Sequence, residues 1–451
     1  MGKTVDFSHG GIVKQMIVFS IPIVVGELFQ NLYNSVDALI VGNCVGKTAL
    51  AAITSCEMPI NLIIGFFNGM SIGASVTAAN FFGCKNHDGV FRSIQVNFNF
   101  SIVFGLLISA VGFLIAPLLL KVSAVQGEIY TAAVRYLRIY LGGLVFTVIY
   151  NMLSGLLRSV GDSKTPFYVL TLTCCVNIGL DIIMVALLNL NIVGAALATV
   201  ASQALSSALL IIKLKRGYPG FHVDFSLIKE ERNIIYQALR IGVPAGLQTS
   251  LVAISNLFVW RYVNMFSTDI IAGFGIAFRI DAFVGLPSRS FGLTATTFVA
   301  QMVGSGKYER GRKGCIRCLL LAIGIVSSFA GLVFLFAETL VSMFNSDPAV
   351  ISEGVHALRM MVPFYCIVPI RDIFLGILRG HEDTKVPLVL SLIGMVGLRQ
   401  IYLSASMSRC FRIENVYIGL PLAWCATSVF LVAYYCSKRK ALWKITPRHR
   451  S

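Results

Sequence analysis

Charge is scarce in this sequence. Asp, Glu, Lys and Arg make up 13% of its 451 residues, about half the share of a soluble globular domain, so most of the chain must avoid water. Histidine is scarcer still: the six, at 9, 87, 222, 356, 381 and 449, are scattered. Neither HExxH nor GxSxG occurs, which removes the metalloprotease and serine-hydrolase patterns. Cysteine is odd in number, eleven, and falls mostly inside apolar runs (Cys174, Cys175, Cys366, Cys425). That is the usage of small buried hydrophobes, not of a disulfide framework. Cys315 and Cys318 form a lone CxxC without the second pair a structural metal site needs. GNCVGKT at 42–48 places three residues between its glycines, where a phosphate-binding loop has four. No small-residue cleavage site follows the first apolar run, and Asp6 stands where myristoylation requires Ser or Thr, so neither a removable leader nor an acyl anchor is expected.

What is present is apolar length. Hydrophobic residues make up 56% of the chain, and the mean hydropathy is +0.78. Twelve runs are long enough to cross the roughly 30 Å hydrocarbon core as helices. They lie near 15–40, 50–80, 94–118, 130–156, 166–188, 192–212, 236–262, 270–302, 315–337, 355–378, 387–408 and 414–436. The expected fold class is an all-α polytopic membrane protein with twelve transmembrane helices. The net charge of +16 would suggest nucleic acid in a soluble chain. Here it is an orientation signal instead. Loops on one side, with both ends, hold 25 of the 37 basic residues, among them Lys3, Lys213, Arg310, Arg448 and Arg450; the opposite loops hold Lys47, Lys121, Arg409 and Arg412. Both termini are therefore expected in the cytoplasm, with the protein in the plasma (inner) membrane, without nucleic acid as a partner.

The chain repeats itself. GLLRSVGDSKTP at 155–166 returns as GILRGHEDTKVP at 376–387, and ASVTAANFFG at 74–83 as ATTFVAQMVG at 295–304, both offset by 221 residues. Pro22 and Pro244 match at an offset of 222. Two six-span lobes follow, 1–222 and 223–451. Six is even, so both copies start on the same side and are parallel repeats about a central cleft.

The first span carries a polar stripe. Glu27, Gln30, Asn34 and Asp37 are spaced three, four and three residues apart, which places them on one helix face. A carboxylate in hydrocarbon costs at least about 2.5–3.5 kcal/mol on insertion scales, so it should face water or a partner. The fifth span offers Thr173, Asn177 and Asp181 on one face, the fourth Asn151 and the sixth Thr199. The second copy serves as an internal control. Counterparts of Asp37, Asn177, Asp181 and Thr199 are Val259, Leu398, Tyr402 and Leu420, whereas that of Asn151 is Asp372. A cluster that one copy folds without has a role beyond architecture. The second half instead carries Arg261, Arg279, Arg289, Arg371 and Arg399 in or near spans. Arg371–Asp372 and Arg279–Asp281 read as structural pairs; were they to face a cleft, a substrate with an anionic group would follow.

IP at 21–22, LFQNLYNSVDALIVG after it, LRSVGDSKTP, VNIGLD, VGAALATVASQ, LRIGVPAGLQ, IAFRIDAFVGLP, GSGKYERGRK and LRGHEDTKVP together resemble the multidrug and toxic compound extrusion (MATE) family across nearly the whole chain. The resemblance implies two six-helix lobes around a cleft and export of organic compounds, often amphipathic cations, in exchange for H⁺ or Na⁺, without a cofactor. It implies that Asp37, Asn177, Asp181 and Thr199 form the coupling-ion site, and the Na⁺ ligands if Na⁺ is the ion. Gln30, Asn34, Asn151 and Asp372 would line the cleft, and Pro22 would be the bend of the first helix. Glu27, Arg289 and Arg371 depart from the pattern. The expected partners are a small-molecule substrate and the bilayer, around a monomer. The rivals are a lipid-linked oligosaccharide flippase, which calls for more spans, and a non-transporting receptor.

Overall fold

In lipid every backbone N–H and C=O must find its partner within the chain, and uninterrupted apolar sequence does this by coiling into helix. The computed structural model describes residues 4–122, 125, 127–218 and 220–444, and among these residues there is no strand. The helices of the first half are α1 (Ile12–Cys44), α2 (Lys47–Gly83), α3 (His87–Val122), α4 (Gly127–Gly142), α5 (Leu144–Ser159), α6 (Lys164–Asp181) and α7 (Asn191–Gly217). After the short α8 (Leu227–Glu230) come α9 (Arg232–Val263), α10 (Thr268–Gly304), α11 (Tyr308–Leu335), α12 (Ala337–Ser342), α13 (Pro348–Met361), α14 (Val368–Gly380), α15 (Lys385–Ser391), α16 (Arg399–Arg409) and α17 (Glu414–Leu442). Among the described residues, eleven segments are long and apolar enough to cross a membrane, and twelve when α4 and α5 count as one bent span. The protein is a multi-pass membrane protein.

Four spans are less regular than hydropathy suggests, the tenth because a 3-10 turn, Val362–Ile367, joins α13 to α14. The fourth, expected as one helix over 130–156, is α4 and α5 meeting at 46°. The break falls at Gly143, where a Cβ would lie 2.4 Å from Val200 Cγ1. The fifth ends in a π-helical turn, Ile182–Leu187, directly after Asp181. The eleventh is interrupted by a second π-helical turn, Leu392–Leu398, directly before Arg399. Hydropathy registers apolar length and is blind to a change in hydrogen-bond step. Lys3, Arg448 and Arg450, counted above for orientation, lie outside the described residues.

The chain divides into two compact units. One contains Ile21–Gly246 with the residues before Phe7; the other contains Phe7–Ser20 with the residues from Leu247 onward. In the first, Val41, Cys56, Tyr136 and Leu137 belong to one buried cluster, and Ile94, Phe98 and Leu153 to a second. In the second, Phe274 stacks on Tyr417 at 5.8 Å and meets Trp260 edge-on at 5.2 Å.

The duplication seen in the sequence is repeated in bonds. After α2 the amide of Asn86 donates to Phe81 O at 3.1 Å, and Lys85 takes φ +59°; after α10 the amide of Lys307 donates to Met302 O at 3.1 Å, and Gly306 takes φ +68°. The turn after α5 has Gly161 at φ +85° and its equivalent after α14 has Glu382 at φ +64°. Ser71 on α2 abuts Gly155 on α5, and Gly292 on α10 abuts Gly376 on α14. Each of these pairings is separated from its copy by 221 residues.

Candidate functional site

The site is built from α1, α6 and α7 in the first unit. Helix α1 lies against α6 through Gly26, whose missing side chain admits Leu170 and Phe167, and through the rings of Phe29 and Phe167, 6.5 Å apart. Asn177 and Asp181 sit one turn apart on α6, and α6 packs on α7. All four residues of the expected coupling site are buried: Asp37 is 7% exposed, Asn177 2%, Asp181 0% and Thr199 3%. Asp37 and Asp181 lie within electrostatic range of each other.

What marks the cluster is unmet hydrogen-bonding capacity. Asp181 Oδ1 and Oδ2, Asp37 Oδ1, and both Asn177 Oδ1 and Nδ2 are buried without a hydrogen-bond partner. A buried polar atom left unpaired costs about 1–3 kcal/mol, more when charged, and buried groups in folded proteins are nearly always satisfied. Four of these five atoms are oxygens, a set of hard donors suited to a proton or a small cation. The other polar groups nearby are satisfied differently. Thr199 Oγ1 donates to Ala195 O at 3.0 Å, and Thr173 Oγ1 donates to Val169 O at 3.0 Å while accepting from Ser206 Oγ at 2.8 Å. Thr199 therefore offers a lone pair, its proton being engaged.

The expected cleft residues are divided between the two units. Asn34 is exposed, and Gln30 and Asn151 are partly buried. Asp372 belongs to the second unit, where Arg371 Nε and Nη2 both reach its Oδ1 at 2.8 Å and Ser288 Oγ donates to Oδ2 at 2.6 Å. Arg371–Asp372 is thus the ion pair expected from sequence. Arg279–Asp281 is not: Arg279 is exposed, while Asp281 lies within range of Arg289 and Arg371. Residues two apart on a helix point away from each other, and that spacing ruled the pair out. Glu27 lies within range of Arg158, which gives this departing acid a cationic neighbour on α5. Pro22 is inside α1, where it deletes one backbone hydrogen bond.

Several residues near the carboxylates were not singled out from sequence. Glu57 on α2 lies within range of Asp37. It is a lone acid in a long apolar run, the same signal that drew attention to Asp37. Tyr33 lies within range of both aspartates and Tyr136 of Asp37; the rings of Tyr136 and Tyr140 stack at 6.2 Å. On α7, Ser202 Oγ and Gln203 Oε1 are also buried without partners.

Comparison with known proteins agrees with this architecture. The MatE family model matches residues 22–183 and again 244–403, so the family unit occurs twice, starting at Pro22 and at Pro244. The chain is 26% identical over 445 residues to the probable multidrug resistance protein YpnP of Bacillus subtilis (strain 168), covering 98% of each. It is 23% identical over 447 residues to the multidrug export protein MepA of Staphylococcus aureus (strain bovine RF122 / ET3-1), covering 96% of each. Its fold superposes on the crystal structure of MATE in complex with MaL6 with a TM-score of 0.91 at 22% identity, over 99% of this chain and all of that one. With two family matches across most of its length, the chain belongs to the MatE family, the multidrug and toxic compound extrusion transporters.

Proposed function

We propose that this protein is a secondary antiporter that exports amphipathic organic compounds in exchange for H⁺ or Na⁺ by alternating access. The observation that carries the reading is the set of buried, unpartnered oxygens of Asp37, Asn177 and Asp181. Two carboxylates close together in low dielectric cannot both ionise cheaply. A proton shared between them, or a Na⁺ held by them with the oxygens of Asn177 and Thr199, removes that cost. Neutralising the cluster lets α1 bend at Pro22, where the helix already lacks a bond, and release of the ion to the cytoplasm resets it. Gln30, Asn34 and Asn151 contact the cargo in this scheme, and the sequence lobes 1–222 and 223–451 rock about it. The working molecule is a monomer in the plasma membrane with both termini in the cytoplasm. Each positive charge moved inward contributes about 2.3 kcal/mol per 100 mV, enough for roughly a fifty-fold gradient of a neutral solute.

The test is efflux of ethidium from proteoliposomes under separately imposed H⁺ and Na⁺ gradients. The unmodified protein should respond to one of them, and Asp37→Asn should lose that response while still binding dye. Efflux by Asp37→Asn that follows the gradient as before would remove Asp37 from the coupling step.

A further inference from the structure

The second unit has a cavity of its own, about 180 Å³, inside the helices that follow Leu247. Three arginines line it, Arg289, Arg371 and Arg399, against two aspartates, Asp281 and Asp372. Counted as ionised, these five leave one positive charge. The structure locates that surplus on Arg399. Arg399 is completely buried, at 0% exposure. Its Nη1 donates to Asn256 Oδ1 at 3.0 Å and its Nη2 to Ser255 Oγ, while its Nε is buried without an acceptor. No carboxylate pairs with it among the described residues, and the charged side chain acting on it is Arg371, of the same sign. Asp372 is engaged by Arg371 and Ser288 and makes no bond to Arg399. A guanidinium removed from water, without a counter-ion and beside another guanidinium, is strongly unfavourable. It is explained if a counter-charge arrives from outside the chain.

We propose that this cavity is a binding site for a small organic monoanion, a carboxylate on an apolar or aromatic body. The carboxylate takes the unpaired Nε of Arg399, a donor suited to that group, once the side chains that cover it in this structure give way. The body lies against the apolar wall of Val252, Phe278, Val284 and Trp424. The size is right for one ring, since an apolar cavity of about 150 Å³ accepts benzene. The fold adds a parallel. In the first unit a π-helical turn directly follows the fully buried Asp181, and in the second a π-helical turn directly precedes the fully buried Arg399. Turns of this kind concentrate at functional sites, and here the two units bury opposite charges beside them. That the anion is cargo rests on the export reading above; that the pocket binds it does not.

The probe is 4-nitrobenzoate, with 4-nitrobenzylammonium as its cationic twin, titrated into purified protein while tryptophan fluorescence is read. Trp424 lines the cavity and is one of three tryptophans. The benzoate should quench saturably and the ammonium should not. Trp424→Phe should lose most of the quenching, and Arg399→Met should weaken binding at least tenfold, with Arg399→Lys in between. Equal affinity for the two probes overturns the proposal, as does benzoate binding unchanged in Arg399→Met. Should Arg399→Met not fold, the charge preference of the unmodified protein and the Trp424→Phe control decide the matter alone. Ethidium efflux separates the two readings. Ion-driven efflux without benzoate binding removes only the anion pocket, and benzoate binding without ion-driven efflux removes only the antiport.

Discussion

At the scale of single residues, the duplication lets one copy calibrate the other. The turn after α10 uses Gly306 in the left-handed region, with nothing within 4 Å of where a Cβ would stand. Its twin uses Lys85 in the same conformation, and the equivalent pair after α5 and α14 is Gly161 and Glu382. A residue with a Cβ pays about 1–2 kcal/mol there, partly offset by the entropy glycine loses on folding. Lys85→Gly should therefore stabilise the protein by about 0.5–1 kcal/mol, and Gly306→Ala should destabilise it by about 1 kcal/mol. Thermal denaturation in detergent reads both, and Lys85→Gly leaving the midpoint unchanged or lower would contradict the strain. The buried acids Asp37 and Asp181 were legible at this scale because they are conspicuous in apolar sequence. The missing hydrogen-bond partners were not, since whether a buried oxygen is satisfied depends on neighbours from other helices. Arg399 was visible as an arginine in a span, but its lack of a counter-ion was not.

At the scale of elements, twelve apolar runs were readable because the bilayer demands about 20 residues of helix, and hydropathy measures that demand directly. The bend between α4 and α5 and the two π-helical turns escaped it, because they follow from close packing. The same packing yields a contrast between the copies. On Gly376 a Cβ would meet the backbone carbonyl of Gly292 at 2.3 Å; on Gly155 it would meet Ser71 Oγ at 2.2 Å. A hydroxyl can rotate away and a helix carbonyl cannot. Gly376→Ala should accordingly cost about 1–3 kcal/mol through overpacking of α10 on α14, and Gly155→Ala distinctly less. Equal losses in paired melting experiments would show that Ser71, which donates to Asn151 O at 2.6 Å, is as fixed as the backbone.

For the whole molecule, the twofold repeat and the family were both legible, because the motifs recur at a constant offset and cover nearly the full length. The membership of the two compact units was not. The repeat divides the sequence near residue 222, whereas the first compact unit keeps 232–246, the start of α9, and the second keeps Phe7–Ser20, the start of α1. Phe7 is fully buried there, its ring edge-on to Phe298 at 5.4 Å and its carbonyl accepting from Arg310 Nε at 2.8 Å.

This exchange of opening segments has a consequence for ancestry and for manipulation. A lone half, cut where the two ancestral copies were joined, would lack a stretch that its own core uses and carry one that it cannot place. Expressed separately, 1–222 and 223–451 should be degraded. Produced together in one cell, they should accumulate and co-purify. Stable accumulation of either piece alone would mean that the borrowed stretches are ornament, and that the fused gene could still be undone.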